Sequence, residues 1–468
     1  MKKLNPKPVL LMVAAFALAC FACNKPETPE KPEPDPKDST SVEITTDTTG
    51  MTPVALHSQL THVQPMTGLV LWPDQARSRN AGYGRSLSLE FSYCLPCRVV
   101  TGKENGAITY DWTWFENLLD DIASRSHQAI VRFRYEYPSS SEVDGTRGAT
   151  AVPAYIKALP DYNETYSKDP GGDGPTYYAD WSNAELQWFT KQFYTDFAAR
   201  YGNDPRIAFL EVGFGHWAEY HIYGTTLRLG QNFPSKAYQK EFLQHLAQVM
   251  PIPWLISIDA ADESYTPIVG SSELMALTFG LFDDSFMHRG HELSSDDGYN
   301  EQNWIDIGQG TRWKSGVCGG EISYYSSRDQ KNFLNPDGLY GHTWEEQAAK
   351  YHITFMIAND APSGQYGTAE RFLSAGLASG YRFQVLRALT DDTKTVLCVK
   401  NAGVAPLYKD AWFTIGEAYS DKSLFGLLPG ETRMLIVPAP LTQGASLTIA
   451  SPAILPTQTI EFEADLNP

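Results

Sequence analysis

Short apolar runs recur along the 468-residue chain, separated by segments of helical period. Eight runs read as strands buried on both faces: residues 68–72, 87–93, 129–135, 207–212, 254–258, 275–282, 316–322 and 353–357. Between them Phe115, Leu118, Leu119 and Ile122 form one helical stripe, Leu186, Phe189, Phe193 and Phe197 a second, and Tyr238, Phe242, Leu246 and Val249 a third. Ser182 with Glu185 reads as a capping box opening the second stripe, which Gly202 closes, and Thr343 with Glu346 reads as the cap of a fourth helix. Strand alternating with helix implies parallel strands joined by right-handed crossovers, and eight such units predict an α/β fold closed as a (β/α)8 TIM-type barrel over residues 54–380. The thin point is 258–275, which has little room for a full helix. A doubly wound open sheet also fits the alternation, but the chain has no Gly-rich phosphate fingerprint to recommend it.

After Gly380 the pattern changes. Residues 381–388, 395–401, 412–415, 434–437, 446–449 and 457–462 read as short strands broken by Gly, Pro, Asp and Asn, which predicts a small all-β sandwich over 381–468. At the other end, residues 1–23 have a basic start, an apolar run too short to span a membrane, and small residues ahead of Cys20 and Cys23: an export signal. Residues 24–53 are Pro, Thr, Glu, Asp and Lys with almost no apolar side chains, so they read as an extended tether.

Charge narrows the partners. With 37 basic and 55 acidic residues the net charge is 37 − 55 = −18, a poor surface for nucleic acid. The aromatic content of 12 % suits a large core and a sugar-binding cleft alike. Cys94 and Cys97, in CLPC, read in an exported chain as a local disulfide or two free thiols.

Candidate chemistry centres on RIAFLEVGFGHWAEYH, residues 206–221. A buried strand runs into a turn spaced by Gly213 and Gly215 that delivers Trp217, Glu219 and His221 beyond the carboxyl end of the fourth strand, where such barrels place reactive groups. Glu321, in GVCGGEISYY, ends the seventh strand, across the mouth from the fourth. Two facing carboxyls are what glycoside hydrolysis needs: one protonates the leaving oxygen, the other attacks the anomeric carbon or activates water. The bland alternatives are a Glu219 that caps a helix or pairs with an Arg, and a Glu321 that is a buried acid satisfied by one. Trp217, His221, Asp259, Asp283, Asp284 and Tyr324 are the expected substrate-binding groups. Arg132 and Arg134 share one face of the third strand and are candidate substrate-binding groups; one of them is expected to bind a carboxylate, catalytic or uronic, with pairing to Glu136 or Glu211 as the bland alternative. Glu211, inside the fourth strand, reads as part of a barrel layer. His216 and His221 are weak metal ligands, and neither a metal nor a cofactor is expected. The loop 161–180 hangs over the mouth.

Four stretches, GFGHWAEYH, FGLFDDSFM, GGE at 319–321 and VKNAGVAPLY at 399–408, resemble those of an uncharacterised bacterial family of glycosidase-like (β/α)8 barrels with an appended β-sandwich. The placing of Glu219 and Glu321 is similar to that in the clan of retaining glycosidases whose acid/base and nucleophile end strands four and seven. That clan has Asn before the acid/base, where this chain has Ala218. The resemblance implies a retaining glycoside hydrolase acting on a poly- or oligosaccharide, or a non-catalytic glycan-binding protein on the same barrel. Small residues ahead of cysteine resemble the cleavage box of bacterial lipoproteins. This implies lipidation at Cys23, after which the chain turns polar at once, or at Cys20, and anchorage to the cell envelope, at the outer membrane.

Overall fold

The computed structural model describes residues 47–325 and 327–467. The leader, Cys20, Cys23 and the tether as far as residue 46 lie outside them. Eight strands close into one parallel barrel in chain order: β1 (Gly68–Leu71), β2 (Leu89–Cys94), β3 (Gln128–Phe133), β4 (Ile207–Glu211), β5 (Trp254–Ser257), β6 (Gly280–Phe286), β7 (Cys318–Ile322) and β8 (Phe355–Ile357). β8 pairs back onto β1, with Phe355 opposite Gly68. The sixth strand begins later than its apolar run predicts, because Met275 ends a four-residue helix, Ser272–Met275. Only that helix and a 3-10 turn, Ile258–Ala261, fill the short connection after β5. The barrel closes there because β5 and β6 pair directly, Leu255 opposite Gly280.

The three helical stripes face the barrel. Phe115, Leu119 and Ile122 are buried in the helix Thr113–Ala123, Leu186, Phe189, Phe193 and Phe197 in Ala184–Tyr201, and Tyr238, Phe242 and Leu246 in Lys236–Val249. Thr343 and Glu346 form the expected capping box of Trp344–Lys350. The other expected cap is displaced by one residue. Asn183 accepts from the Leu186 amide, while the Ser182 hydroxyl turns back to Asp180, so the first orphan amides of that helix lie within reach of Asn183.

Side chains alternate along each strand, and the inward set forms stacked layers. Val70, Phe91, Ile130, Phe209, Leu255, Phe282 and Phe355 belong to one inner apolar core, each large side chain contributing roughly 1.5–3 kcal/mol by burial. Two residues further along the same strands stand Trp72, Tyr93, Arg132, Glu211, Ser257, Asp284 and Ile357, with Glu321 two after Gly319. One pleat therefore separates an apolar layer from one that is polar or aromatic except at Ile357, at the carboxyl end of the barrel.

The amino end is closed by a β domain. β9 (Phe383–Thr390), β10 (Thr395–Asn401), β13 (Thr432–Val437) and β15 (Phe462–Leu466) form the larger sheet; β11 (Trp412–Ile415), β12 (Ala418–Tyr419) and β14 (Leu447–Ala450) form the smaller. Two short strands ahead of the barrel, Thr52–Pro53 and Leu56–Ser58, pair with β9 and β15. Its apolar side chains, Phe383, Leu407 and Phe462 among them, are continuous with the inner barrel core. Tyr408 donates to the Trp313 carbonyl, Lys409 to Pro251, Gln458 to Ser126, and the Gln128 amide to Ala453. All four ties fall at the amino ends of barrel strands, so the carboxyl ends stay open.

Candidate active site

The loop after β4 turns tightly. Gly215 has φ +78°, and a Cβ there would stand 2.3 Å from the His221 carbonyl oxygen. A Cβ on Gly213 would stand 1.7 Å from the Ala218 carbonyl oxygen. Trp217, Ala218 and Tyr220 also have left-handed backbones, at φ 52°, 66° and 65°. Three non-glycine residues in that region within one turn mark stored strain, which surrounding packing must hold. Ala218 and Tyr220 are buried, and the Glu219 amide donates to the His216 carbonyl. The turn thus presents Glu219 at the barrel mouth.

Glu219 and Glu321 line one cavity of about 820 Å³. Trp217, His221, Asp259, Asp283, Asp284 and Tyr324 line it as well, so eight of the ten residues proposed for chemistry or binding meet there. Arg132 lies directly beneath, fully buried. Its Nε donates to Glu211 Oε2 at 2.7 Å, its Nη1 donates to Asp284 Oδ2 at 2.6 Å, and the same Nη1 stands 3.5 Å from Glu219 Oε1. The Phe282 ring backs the guanidinium at 4.1 Å. The expected alternative of Arg132 paired with Glu211 is therefore met, and Asp284 and Glu219 share the same cation. Arg134 stands apart, bound to Glu142 rather than to Glu136 or Glu211.

One guanidinium cannot neutralise Glu211, Glu219, Asp284 and Glu321 together. Burial pushes the Glu219 carboxyl well above the usual carboxylate range; the charge of Asp284, within hydrogen-bonding range, pushes it further, against the pull of Arg132. Burial raises Glu321 too, again with Asp284 adding to it, while Arg132 and a hydrogen bond with Tyr324 favour its ionised form. Glu211 is raised by burial to about 7 in spite of Arg132. The four acids therefore compete for one cation: Glu211 and Asp284 contact it closely, Glu219 stands 3.5 Å from it, and Glu321 makes no direct contact with it.

Asp283 and Asp284 divide their work. Asp283 is buried and accepts from His291 Nε2, Asn300 and the Trp304 indole, which together draw its carboxyl below the ordinary range despite burial. It ties the segment 291–304 to the end of β6. Asp284 faces the mouth. Asp259 Oδ2 lies 2.6 Å from His221 Nδ1, leaving His221 Nε2 buried with no protein partner. Asp284 Oδ1 and Glu321 Oε1 are likewise without a protein hydrogen bond. His216 is buried with its Nε2 on the Tyr178 hydroxyl and its Nδ1 without a hydrogen bond.

No family model matches the chain, and no curated protein sequence matches it. Among solved structures the chain is similar to the catalytic domain of a beta-amylase from Paenibacillus polymyxa, with 11 % identity over 67 % of this chain and 98 % of that one, at a TM-score of 0.39. It is also similar to a family 39 glycoside hydrolase from Bacteroides cellulosilyticus, with 9 % identity over 80 % and 81 % and a TM-score of 0.39. A third is a GH10 xylanase with a bacterial Ig-like domain from termite gut, with 10 % identity over 68 % and 75 % and a TM-score of 0.35.

The structure adds residues that the sequence does not single out. Trp72, Tyr93, Tyr137, Tyr223, Tyr299 and Tyr325 wall the cavity. Trp72 and Tyr93 could have been found from the two-residue step beyond the apolar layer, and Tyr325 from its place beside Tyr324. Tyr299, on a helix distant in sequence, gives no such signal. Within the loop 161–180 the hairpin Thr165–Ser167 and Thr176–Tyr178 carries Asp173 to the cavity, where its carboxylate accepts from the Tyr223 hydroxyl. Cys94 and Cys97 are both free thiols, Cys94 buried at the end of β2. Among the described residues no group of three His, Cys, Asp or Glu is placed to hold a metal ion.

Proposed function

We propose that the chain is a glycoside hydrolase acting on a poly- or oligosaccharide by a retaining, two-carboxylate mechanism. The observation that carries this reading is the meeting of Glu219 and Glu321 in one aromatic-walled cavity, with the Glu219 carboxyl pushed above its usual range by burial and the Asp284 charge. In the first step Glu219 gives its proton to the glycosidic oxygen as the bond to the anomeric carbon breaks, and Glu321 attacks that carbon to form a glycosyl ester. In the second, Glu219 takes a proton from water, the water oxygen bonds to the anomeric carbon, and the ester bond to Glu321 breaks. Arg132 and Tyr324 are the groups that favour an ionised Glu321, and Arg132 also receives the charge left on Glu219. His221 Nε2 and the tyrosines at the rim suit sugar hydroxyls and ring faces.

Replacing Glu219 or Glu321 by Gln tests this on a panel of glycans. Loss of hydrolysis by roughly 10²–10⁴-fold in each, with unchanged melting, supports the assignment. Full activity in both variants overturns it. Following the anomer first released by proton NMR tests retention: the opposite anomer would make the second carboxyl a base that activates water.

One observation favours a glycan-binding protein without catalysis: Ala218, buried and left-handed, stands where the clan resembled carries a hydrogen-bonding Asn. That reading expects saturable binding, no product, and undiminished binding in Glu321→Gln. We place the protein at the cell envelope through a lipid on Cys23; loss of fatty-acid labelling in Cys23→Ala but not Cys20→Ala would support that site.

A further inference from the structure

Two arginines on one face of the same strand meet opposite surroundings. Arg132 has carboxyls on several sides. Arg134, one pleat nearer the mouth, is equally buried, and among the described residues its one salt-bridge partner is Glu142, whose side chain is 56 % exposed at the rim. Arg134 Nε and Nη1 have no hydrogen-bond partner, and its Nη2 also faces the Ser140 hydroxyl at 3.5 Å. The guanidinium lies over the Tyr137 ring at 4.4 Å and the Tyr93 ring at 5.5 Å. Leaving buried guanidinium donors unmade is costly, and burial holds the Arg134 pKa below the ordinary arginine value in spite of Glu142. Arg132, by contrast, is raised by its carboxylates.

Tyr93, Tyr137, Ser140 and Glu142, the four side chains that touch the Arg134 guanidinium, line a second cavity of about 400 Å³, with Arg134 itself behind them. Trp72, Tyr93 and Tyr137 wall it and also wall the larger cavity, so the two adjoin across these rings. Ser139, Ser140 and Glu142 form its outer side. Apolar ring faces and hydroxyls thus meet a carboxylate that belongs to the protein itself, seated on the arginine. An arginine fork matches a carboxylate on two parallel bonds, and Glu142 uses little of it.

We propose that this second cavity is a subsite for an acidic sugar unit, whose carboxylate displaces Glu142 from the Arg134 guanidinium. The inference rests on the carbohydrate-binding reading above and adds to it the class of sugar. Glu142 acts as an internal stand-in. Glu142 is half in solvent, so once displaced its carboxylate returns to water, and the incoming carboxylate can bridge Nη2 and one of the two unmade donors, Nε or Nη1.

The test uses the full chain and titrates glucuronic and galacturonic acid, glucose 6-sulfate, glucose and galactose, read by calorimetry and by the fluorescence of the tryptophans at the cavities. The uronic acids are expected to bind more tightly than their neutral counterparts. Glu142→Ala, which removes the competitor and needs no refolding of the core, is expected to tighten uronate binding severalfold. Arg134→Met is expected to weaken it by on the order of ten- to a hundredfold and leave neutral sugars unchanged. A preference for glucose 6-sulfate over both uronates would reassign the subsite to sulfated sugars. Equal binding of acidic and neutral sugars, with no response to Glu142→Ala, overturns the inference; if a neutral glycan is still hydrolysed, the proposed hydrolase stands without it. If none of these sugars binds, the inference falls, while the proposed hydrolase is judged by hydrolysis of the glycan panel.

Discussion

Arg132 Nη1 and Asp284 Oδ2 stand 2.6 Å apart, joining β3 to β6 across the inside of the barrel. The same guanidinium holds Glu211 on the neighbouring strand, where Glu211 and Arg132 are opposite in register. Shape and charge are coupled at this point: the cation that holds the two sides of the mouth together also biases the proton on Glu219.

Arg132→Met should therefore be strongly destabilising. It leaves Glu211 and Asp284 buried without their cation, an effect of about 3–5 kcal/mol when a buried pair loses one partner. Urea unfolding would measure it. A variant as stable as the parent would mean that the acids simply take up protons and that the cation is dispensable to the fold.

Asp284→Asn should move the pH profile of hydrolysis rather than abolish it. The Asp284 charge raises the Glu219 pKa, so a neutral amide lets Glu219 lose its proton at lower pH. The alkaline limb of the kcat/KM profile, which reports the acid of the free enzyme, should shift to lower pH. An unmoved or upward-shifted limb would separate Asp284 from the acid.

Glu136 should make stability fall with rising pH. Burial lifts its carboxyl from 4.5 to about 8, against one hydrogen bond from the Ala179 amide. Between those values the folded chain holds a proton that the unfolded chain has released. Its contribution is full below about 4.5, fades as pH rises, and is gone above about 8. Denaturant melts of the parent and Glu136→Gln at pH 5 and pH 9 should show a smaller loss in the variant; parallel losses would place the effect elsewhere.

Gly215→Ala should damage the turn that carries Glu219. Its φ of +78° and the 2.3 Å approach to the His221 carbonyl leave no place for a methyl group. Strain of this kind costs on the order of 1–3 kcal/mol before any displacement of Glu219. Melting and activity should fall together. A fall in activity with unchanged melting would show that the turn adapts and misaims the carboxyl.

The barrel was legible because burial on both faces leaves a run that needs no partner to be recognised: each of the eight runs overlaps a barrel strand. Where the signal was local it held to within a few residues, as with the capping box at Thr343, and it slipped where two neighbours could both cap, as with Ser182 and Asn183. The late start of β6 was hidden because an apolar residue in a short helix, Met275, reads like the start of a strand.

By itself the sequence determined the strands, their order and the step of two residues that carries each from an apolar layer to a functional one. Those follow from backbone geometry and burial, which act over a few neighbouring positions. Only the tertiary structure decided that Arg132 sits among Glu211, Asp284 and Glu219 while Arg134 is paired with Glu142, and that tyrosines from distant segments wall one cavity. Charge, desolvation and shared protons depend on distances through space, and ring closure sets those distances between residues far apart in sequence, 152 positions for Arg132 and Asp284.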